Sequence, residues 1–71
     1  MEIKKKFGDG IKKRRLEIGL SQERLAEKAG VHRTYLADVE RGERNVSLEN
    51  IFKIITALDI SISIFFKKYF E

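Results

Sequence analysis

The fold of this chain is decided by one stretch, Gln22-Glu23-Arg24-Leu25-Ala26-Glu27-Lys28-Ala29-Gly30-Val31-His32-Arg33-Thr34-Tyr35-Leu36-Ala37-Asp38-Val39-Glu40-Arg41. Its apolar residues recur at helical spacing on both sides of Gly30, which predicts two short helices. Glycine adopts the positive φ that a sharp turn needs, and the small side chain of Ala26 lets the second helix cross the first at close range. We expect Val31, Leu36 and Val39 to pack the second helix against the first.

The second helix of this pair then has an outward face, formed by Arg33, Thr34, Ala37 and Asp38. An exposed helix of this width fits the major groove of B-form DNA. The pattern therefore favours a nucleic-acid-binding function.

The sequence before this stretch predicts a first helix from Ile3 to about Ile18. Its apolar stripe consists of Phe7, Ile11 and Ile18. Gly8 and Gly10 count against this prediction, because each glycine costs roughly 1 kcal/mol relative to alanine inside a helix. A start near Asp9 is the alternative.

The sequence after it predicts two more helices. Ser47 is a suitable N-cap for a fourth helix that closes at Asp59 or Ile60. Its apolar stripe consists of Leu48, Ile51, Ile54, Ile55 and Leu58. Residues 60–64 alternate as in a strand, but a lone strand would have no partner, so a short fifth helix from about Ser61 is favoured. The predicted fold is an all-α bundle of five helices, one domain over residues 1–71.

Charge is unevenly distributed along the 71 residues. Residues 1–44 carry 12 basic and 8 acidic side chains, whereas residues 45–71 carry three of each. The basic surplus therefore coincides with the predicted pair of helices, which is typical of one face for a polyanion and another for a different partner.

Several function classes are disfavoured. The chain has no cysteine, one histidine and no glycine-rich phosphate loop, and Asp38 and Glu40 face different sides of a helix, so an enzyme, a metal site, a cofactor and a small-molecule ligand are not expected. No run of 18 apolar residues is present, and the charged N-terminus lacks the features of a signal peptide. We expect a cytoplasmic, nucleoid-associated protein.

Beyond these patterns, the stretch from Gln22 to Arg41 resembles the helix-turn-helix of the phage-repressor and Cro family, the XRE-type regulators. The similarity continues through Gly19-Leu20-Ser21-Gln22, Glu40-Arg41-Gly42 and the fourth-helix residues Leu48, Ile51, Ile54 and Leu58. Within that family, the closest likeness is to the controller proteins of restriction–modification systems, through His32-Arg33-Thr34-Tyr35-Leu36 and Arg44-Asn45. The resemblance implies a lambda-repressor-like fold in which helices 2 and 3 form the DNA-binding unit.

The resemblance also implies a structural ion pair between Arg15 and Glu40, joining the first helix to the end of the third. Arg14 departs from the family pattern, in which its position is apolar. Either its stem lies along the core while its head reaches solvent, or the first helix packs less tightly there.

Roles at the DNA follow for the outward residues. Arg33, Thr34 and Asp38 are predicted to contact bases: Arg33 presents a fork that fits guanine O6 and N7, and Thr34 offers a methyl to thymine or a hydroxyl to a phosphate. Asp38 either accepts from cytosine N4 or holds Arg33 in place. The predicted phosphate-backbone contacts are Gln22, His32, Tyr35, Arg41, Arg44 and Asn45. For Tyr35, packing beneath Leu36 is the alternative.

The tail carries more apolar surface than so small a core can hide. Part of this apolar surface is expected to be buried, with Phe65 or Phe66 filling the core. The remainder is predicted to form the two-fold interface of a homodimer within residues 60–71, through Ile60, Ile62, Ile64, Phe66, Tyr69 and Phe70. A monomer whose tail lies entirely in the core is the alternative.

Together these features predict a sequence-specific transcription regulator that binds double-stranded DNA as a homodimer at a near-palindromic operator. It would act by blocking a promoter or by contacting RNA polymerase from an adjacent site. The resemblance implies a controller that times restriction-enzyme expression. The alternative is an antitoxin-type or general repressor whose apolar tail binds a partner protein.

Overall fold

The computed structural model describes residues 2–70, and this range contains five α-helices. They are α1 (Ile3–Glu17), α2 (Gln22–Ala29), α3 (Arg33–Glu40), α4 (Leu48–Ala57) and α5 (Ile62–Tyr69). The all-α, five-helix prediction is confirmed. The predicted domain 1–71 and interface segment 60–71 include Met1 or Glu71, which lie outside the described residues. Within residues 2–70, no helix is long and apolar enough to cross a membrane.

Serine caps begin three of the helices. Ser21, Ser47 and Ser61 each accept a hydrogen bond from the backbone N–H three residues later, at 3.0, 3.1 and 3.2 Å respectively. The first N–H groups of a helix have no intrahelical acceptor, so a serine hydroxyl in the preceding extended residue stabilises the start. Residues 60–64, which alternate as in a strand, therefore lead into α5. This agrees with the expectation of a short fifth helix from about Ser61.

The core lies between the five helices: α1 packs on α3 and α5, α2 packs on α3 and α4, and α4 also packs on α5. Its fully buried side chains are Ile11, Leu25, Leu36, Val39, Ile54, Ile55, Leu58 and Phe65. Each such aliphatic or aromatic side chain contributes roughly 1.5–3 kcal/mol when it leaves water. This burial fixes how each helix is rotated about its own axis, and so which of its residues face outward.

An aromatic cluster anchors α5 on α1. The Phe65 ring packs edge-on against Phe7 with 5.9 Å between centroids and edge-on against Phe66 at 5.3 Å. Tyr69 stacks on Phe65 at 5.5 Å and donates its hydroxyl to Glu17. Tyr69 is 8% exposed and belongs to the core of one protomer; its predicted place in a dimer interface stays a prediction.

Gly8 and Gly10 allow α1 to approach two other segments at backbone distance. A Cβ on Gly8 would lie 2.2 Å from the carbonyl oxygen of Val39, and one on Gly10 would lie 2.7 Å from that of Tyr69. Neither separation can accommodate a methyl group, so tertiary packing rather than helix propensity selects glycine. The helix runs through both positions, and the alternative start near Asp9 is wrong.

Two side chains differ from the sequence patterns. Arg14 is half-buried, and its head group binds backbone carbonyls: Nε donates to that of Leu58 at 3.1 Å and Nη2 to that of Asp59 at 3.2 Å. It thereby satisfies carbonyls at the end of α4, where cations are also favoured by the helix dipole. Leu48, which belongs to the apolar stripe predicted for the fourth helix, is the first residue of α4 and is 81% exposed.

Candidate nucleic-acid interface

Gly30 builds the turn between α2 and α3 with a φ of +72°. Its N–H donates to the carbonyl of Glu27 at 3.2 Å, and the N–H of Val31 donates to that of Ala26 at 3.0 Å. These bonds satisfy the last carbonyls of α2. A Cβ on Gly30 would meet nothing within 4 Å, so the backbone conformation alone calls for glycine.

The rotation of α3 is fixed by Leu36 and Val39, which are 0% and 1% exposed. Arg33 and Thr34 are consequently directed to solvent, and His32, the N-cap residue, is exposed beside them without a side-chain cap bond. The structure thus brings these three predicted contact residues to one exposed end of α3.

Glu40 is a buried carboxylate that joins three helices. Arg15 donates from Nε to Oε2 at 2.7 Å and from Nη2 to Oε1 at 3.0 Å, and Gln22 donates from Nε2 to Oε1 at 2.9 Å. The side chains of Arg15 and Glu40 are 8% and 3% exposed. Because Arg15 also donates to the carbonyl of Leu20 at 2.9 Å, this cluster ties α1 and the start of α2 to the last residue of α3.

Gln22 therefore has a structural partner that sequence reasoning did not foresee. One N–H of its amide serves Glu40, and the second N–H remains as a donor. Gln22 shares a cleft between the starts of α2 and α3 with four other residues: Arg15, Ser21, Glu23 and Arg33. The predicted phosphate-contact residue at the start of α2 and the predicted base reader of α3 thus border the same cleft.

A second groove runs from the turn to α4. It is lined by Gly30, Val31, His32, Thr34, Tyr35, Arg44, Asn50 and Lys53. Tyr35 is half-buried; its hydroxyl accepts from Asn50 Nδ2 at 3.1 Å, and the guanidinium of Arg44 lies 5.2 Å above the centre of its ring. The ring packs against the core and also lines the groove; its predicted contact with the DNA backbone stays a prediction.

Asn50 and Lys53 belong to this groove but were not assigned to the site from the sequence. Both lie on α4, outside the helix-turn-helix. Their place beside Tyr35 depends on how α4 packs, which no local pattern reveals.

Asp38 pairs with the cations that follow α3. It accepts from Arg41 Nη2 and from Arg44 Nε at 3.2 Å, and its side chain is 19% exposed. Arg41 also donates to Glu43 Oε1 at 3.2 Å. The alternative in which Asp38 holds Arg33 in place is therefore wrong: Asp38 holds Arg41 and Arg44.

Next to this groove, α4 and α5 expose apolar side chains, and Lys53 lines both the groove and the first apolar depression. Phe52 and Ile64 are 57% and 53% exposed, and Ile62 forms one shallow depression with Leu48 and Phe52. Phe66 and Phe70 are half-buried in a second depression that has Arg44 and Asn45 at its rim. Ile60 is half-buried against the core. We call this surface of Leu48, Phe52, Ile62, Ile64, Phe66 and Phe70 the α4–α5 face.

The described part of the chain contains no group of three or more histidine, aspartate or glutamate side chains placed to hold a metal ion. The cleft and the groove beside α3 instead offer polar and cationic hydrogen-bond donors: guanidinium, ammonium, amide and hydroxyl groups. Such donors suit phosphate oxygens and the acceptor edges of bases.

Comparison with known proteins agrees with this geometry. Residues 11–65 match the family model described as helix-turn-helix. The chain is 51% identical over 55 residues to the control protein C.BamHI of Bacillus amyloliquefaciens, covering 76% of this chain and 68% of that protein. It superposes on the crystal structure of the restriction–modification controller protein C.AhdI from Aeromonas hydrophila with a TM-score of 0.84 and 52% identity, covering 87% of this chain and 94% of that one.

A second controller, C.Esp1396I, has been solved with DNA. Its tetramer in complex with a natural 35-base-pair operator superposes with a TM-score of 0.87 and 38% identity, covering 92% of this chain and 86% of that one. Structures of that controller also exist with single substitutions at three successive positions, an arginine, a threonine and a tyrosine.

The predicted resemblance is therefore confirmed, and so is the expectation that the chain is not an enzyme. The chain belongs to the helix-turn-helix family and, within it, to the DNA-binding controller proteins of restriction–modification systems.

Proposed function

We propose that this chain acts as a homodimer that binds a near-palindromic operator and so times the expression of a restriction–modification system. One observation carries the proposal: α3 presents Arg33 and Thr34 to solvent while two arginines follow its end. The operator complexes of C.Esp1396I support it by relationship.

Base recognition is assigned to the exposed start of α3. The planar guanidinium of Arg33 can bind guanine O6 and N7 through two hydrogen bonds, worth roughly 1–3 kcal/mol of discrimination against another base. Thr34 adjoins it and can pack its methyl group on thymine. The run Arg33-Thr34-Tyr35 has the same residue types, in the same order, as the three substituted positions of C.Esp1396I.

The phosphate contacts are assigned to the two margins of α3. Gln22 offers its second amide N–H together with the free N–H groups at the start of α2. His32, Tyr35 and Lys53 line the groove toward α4. Arg44 lines the same groove, and Arg41 and Asn45 follow the end of α3.

The α4–α5 face is assigned to the dimer. Two-fold pairing would cover side chains such as Phe52 and Ile64, which are more than half exposed in one protomer, and would place two copies of α3 on one side of a duplex. Successive major-groove half-sites facing one side are about 34–36 Å apart, so the operator is expected to be two-fold symmetric. Contact with RNA polymerase from such a site, in the nucleoid of the cytoplasm, completes the proposed regulatory role.

The test is selection of binding sites from a random duplex library at moderate salt. Enrichment of a symmetric site with half-sites about 10–10.5 base pairs apart is expected. If the wild-type chain enriches no sequence and binds DNA only weakly, the proposal is wrong, and the α4–α5 face becomes the candidate docking surface for a partner protein of the antitoxin type. Arg33→Ala, carried through the same selection, should lose the preference at one position of each half-site.

A further inference from the structure

Asp38 is an acidic side chain on a surface that is otherwise suited to polyanions. An unpartnered carboxylate there would repel phosphates. In the structure it is instead largely covered, with 19% of its side chain exposed, and both of its oxygens accept from arginines: Oδ1 from Arg41 and Oδ2 from Arg44.

Arg44 is held from a second side. Its guanidinium lies 5.2 Å above the ring of Tyr35, and the hydroxyl of that ring accepts from Asn50 on α4. A cation between a carboxylate and an aromatic face has a restricted set of orientations. The loop after α3 therefore presents two oriented cations rather than two free ones.

We propose that Asp38 is a specificity-determining residue that limits non-specific DNA binding by restraining Arg41 and Arg44. This inference rests on the proposed function. Non-specific binding depends almost entirely on cations that reach phosphates freely, whereas a docked specific complex uses cations already set in position beside α3. Holding both arginines on Asp38 thus weakens the first mode and leaves the second in place.

The proposal assigns Asp38 a positioning role rather than a base contact. A base-reading Asp38 would need its carboxylate free to accept from cytosine N4, but both oxygens are already engaged in the free protein. The two roles predict opposite results when the charge is removed: a base reader loses affinity for its own site, whereas a restraint gains affinity for every other site.

The experiment compares Asp38→Asn with the wild type on two duplexes, the selected operator and a scrambled duplex of equal length, by fluorescence anisotropy over a salt series. Because Arg41 keeps its hydrogen bond to Glu43, the change frees one cation, Arg44. At 0.1 M salt this is expected to tighten binding to the scrambled duplex by about tenfold and to steepen its log–log salt slope by about 0.9. Operator affinity should stay within about threefold, so the ratio of the two affinities falls by nearly the same factor as the scrambled affinity rises.

Two further variants make the result specific. Glu43→Gln changes the net charge equally and removes a partner of Arg41 only, so it should have a much smaller effect. In an Arg44→Gln background, Asp38→Asn should lose most of its gain, because Arg44, the cation that the change would free, is absent. Circular dichroism checks that each variant is folded.

Three outcomes overturn the inference: unchanged binding to the scrambled duplex, an equal gain from Glu43→Gln, or a loss of operator affinity with altered preference at one base, which would make Asp38 a base reader. Failure of the proposed function is distinguishable, since the wild-type chain itself would then prefer no operator over the scrambled duplex.

Discussion

Arg15 and Glu40 meet through two parallel hydrogen bonds of 2.7 and 3.0 Å inside the domain. Arg15→Ala would leave the carboxylate buried without its cation, and breaking a buried pair in this way typically costs roughly 3–5 kcal/mol. We expect the free energy of unfolding, measured by urea denaturation, to fall by about that amount.

The matched control for that change is Arg24→Ala. Arg24 pairs with Glu27 at 3.0 Å, but the two side chains are 68% and 70% exposed, and such surface pairs are worth less than about 1 kcal/mol. Equal losses in the two variants would contradict a special role for the buried pair.

Gly8→Ala should destabilise the domain even though alanine is the better helix former. Propensity alone predicts a gain of roughly 1 kcal/mol. The added Cβ would, however, meet the carbonyl oxygens of Val39 and Glu40 at 2.2 and 2.7 Å, and overpacking of this kind usually costs about 1–3 kcal/mol. Thermal unfolding of Gly8→Ala beside Lys12→Ala, at an exposed position of the same helix, separates the two effects; a higher melting temperature for Gly8→Ala would refute the close approach.

Arg33→Ala and Lys53→Ala should impair DNA binding in different ways. Loss of a base contact lowers affinity for the selected operator by roughly 1–3 kcal/mol and relaxes the preference at one position. Loss of Lys53, on the wall of the groove toward α4, should weaken binding to all sequences and reduce the salt slope by about 0.9. Titration of both variants against operator and scrambled duplex at several salt concentrations makes the distinction; identical profiles would mean that Arg33 contacts only phosphate.

Phe52→Lys should convert a dimer into a folded monomer. Phe52 is 57% exposed in one protomer, so the change costs little internal packing. In a two-fold interface the same patch is present on both protomers, so the substitution introduces two lysines into the interface. Sedimentation equilibrium should show the protomer mass. Leu16→Lys is the control, since Leu16 is similarly exposed, at 59%, on α1; a dimer that survives Phe52→Lys would place the interface elsewhere.

Local chemistry made the helix order predictable. The turn at Gly30 and the starts at Ser21, Ser47 and Ser61 all depend on residues within three or four positions of one another. The outward placement of Arg33 follows equally from the inward placement of Leu36, because helical periodicity relates the two.

Features that depend on distant segments were beyond local patterns. Periodicity identifies an apolar face but not what covers it: it did not show that Tyr69 would be buried within one protomer, or that Leu48, in the same apolar stripe as the buried Ile54, would be 81% exposed. By helix propensity alone, Gly8 counted against a helix. The close contact that requires glycine there is with residues more than thirty positions away in the sequence, which a local pattern does not show. The pairing of Asp38 with Arg44 depends on the path of a loop, which no spacing rule specifies.

The three-helix junction at Glu40 has a consequence for the DNA itself. Because one buried carboxylate binds α1, the start of α2 and the end of α3, the reading unit has little freedom to follow an imperfect groove. Adaptation then has to come from the duplex, whose bending energy depends on base steps that no side chain touches. The quality of an operator for this chain should therefore depend on its stiffness as well as on the bases that face α3.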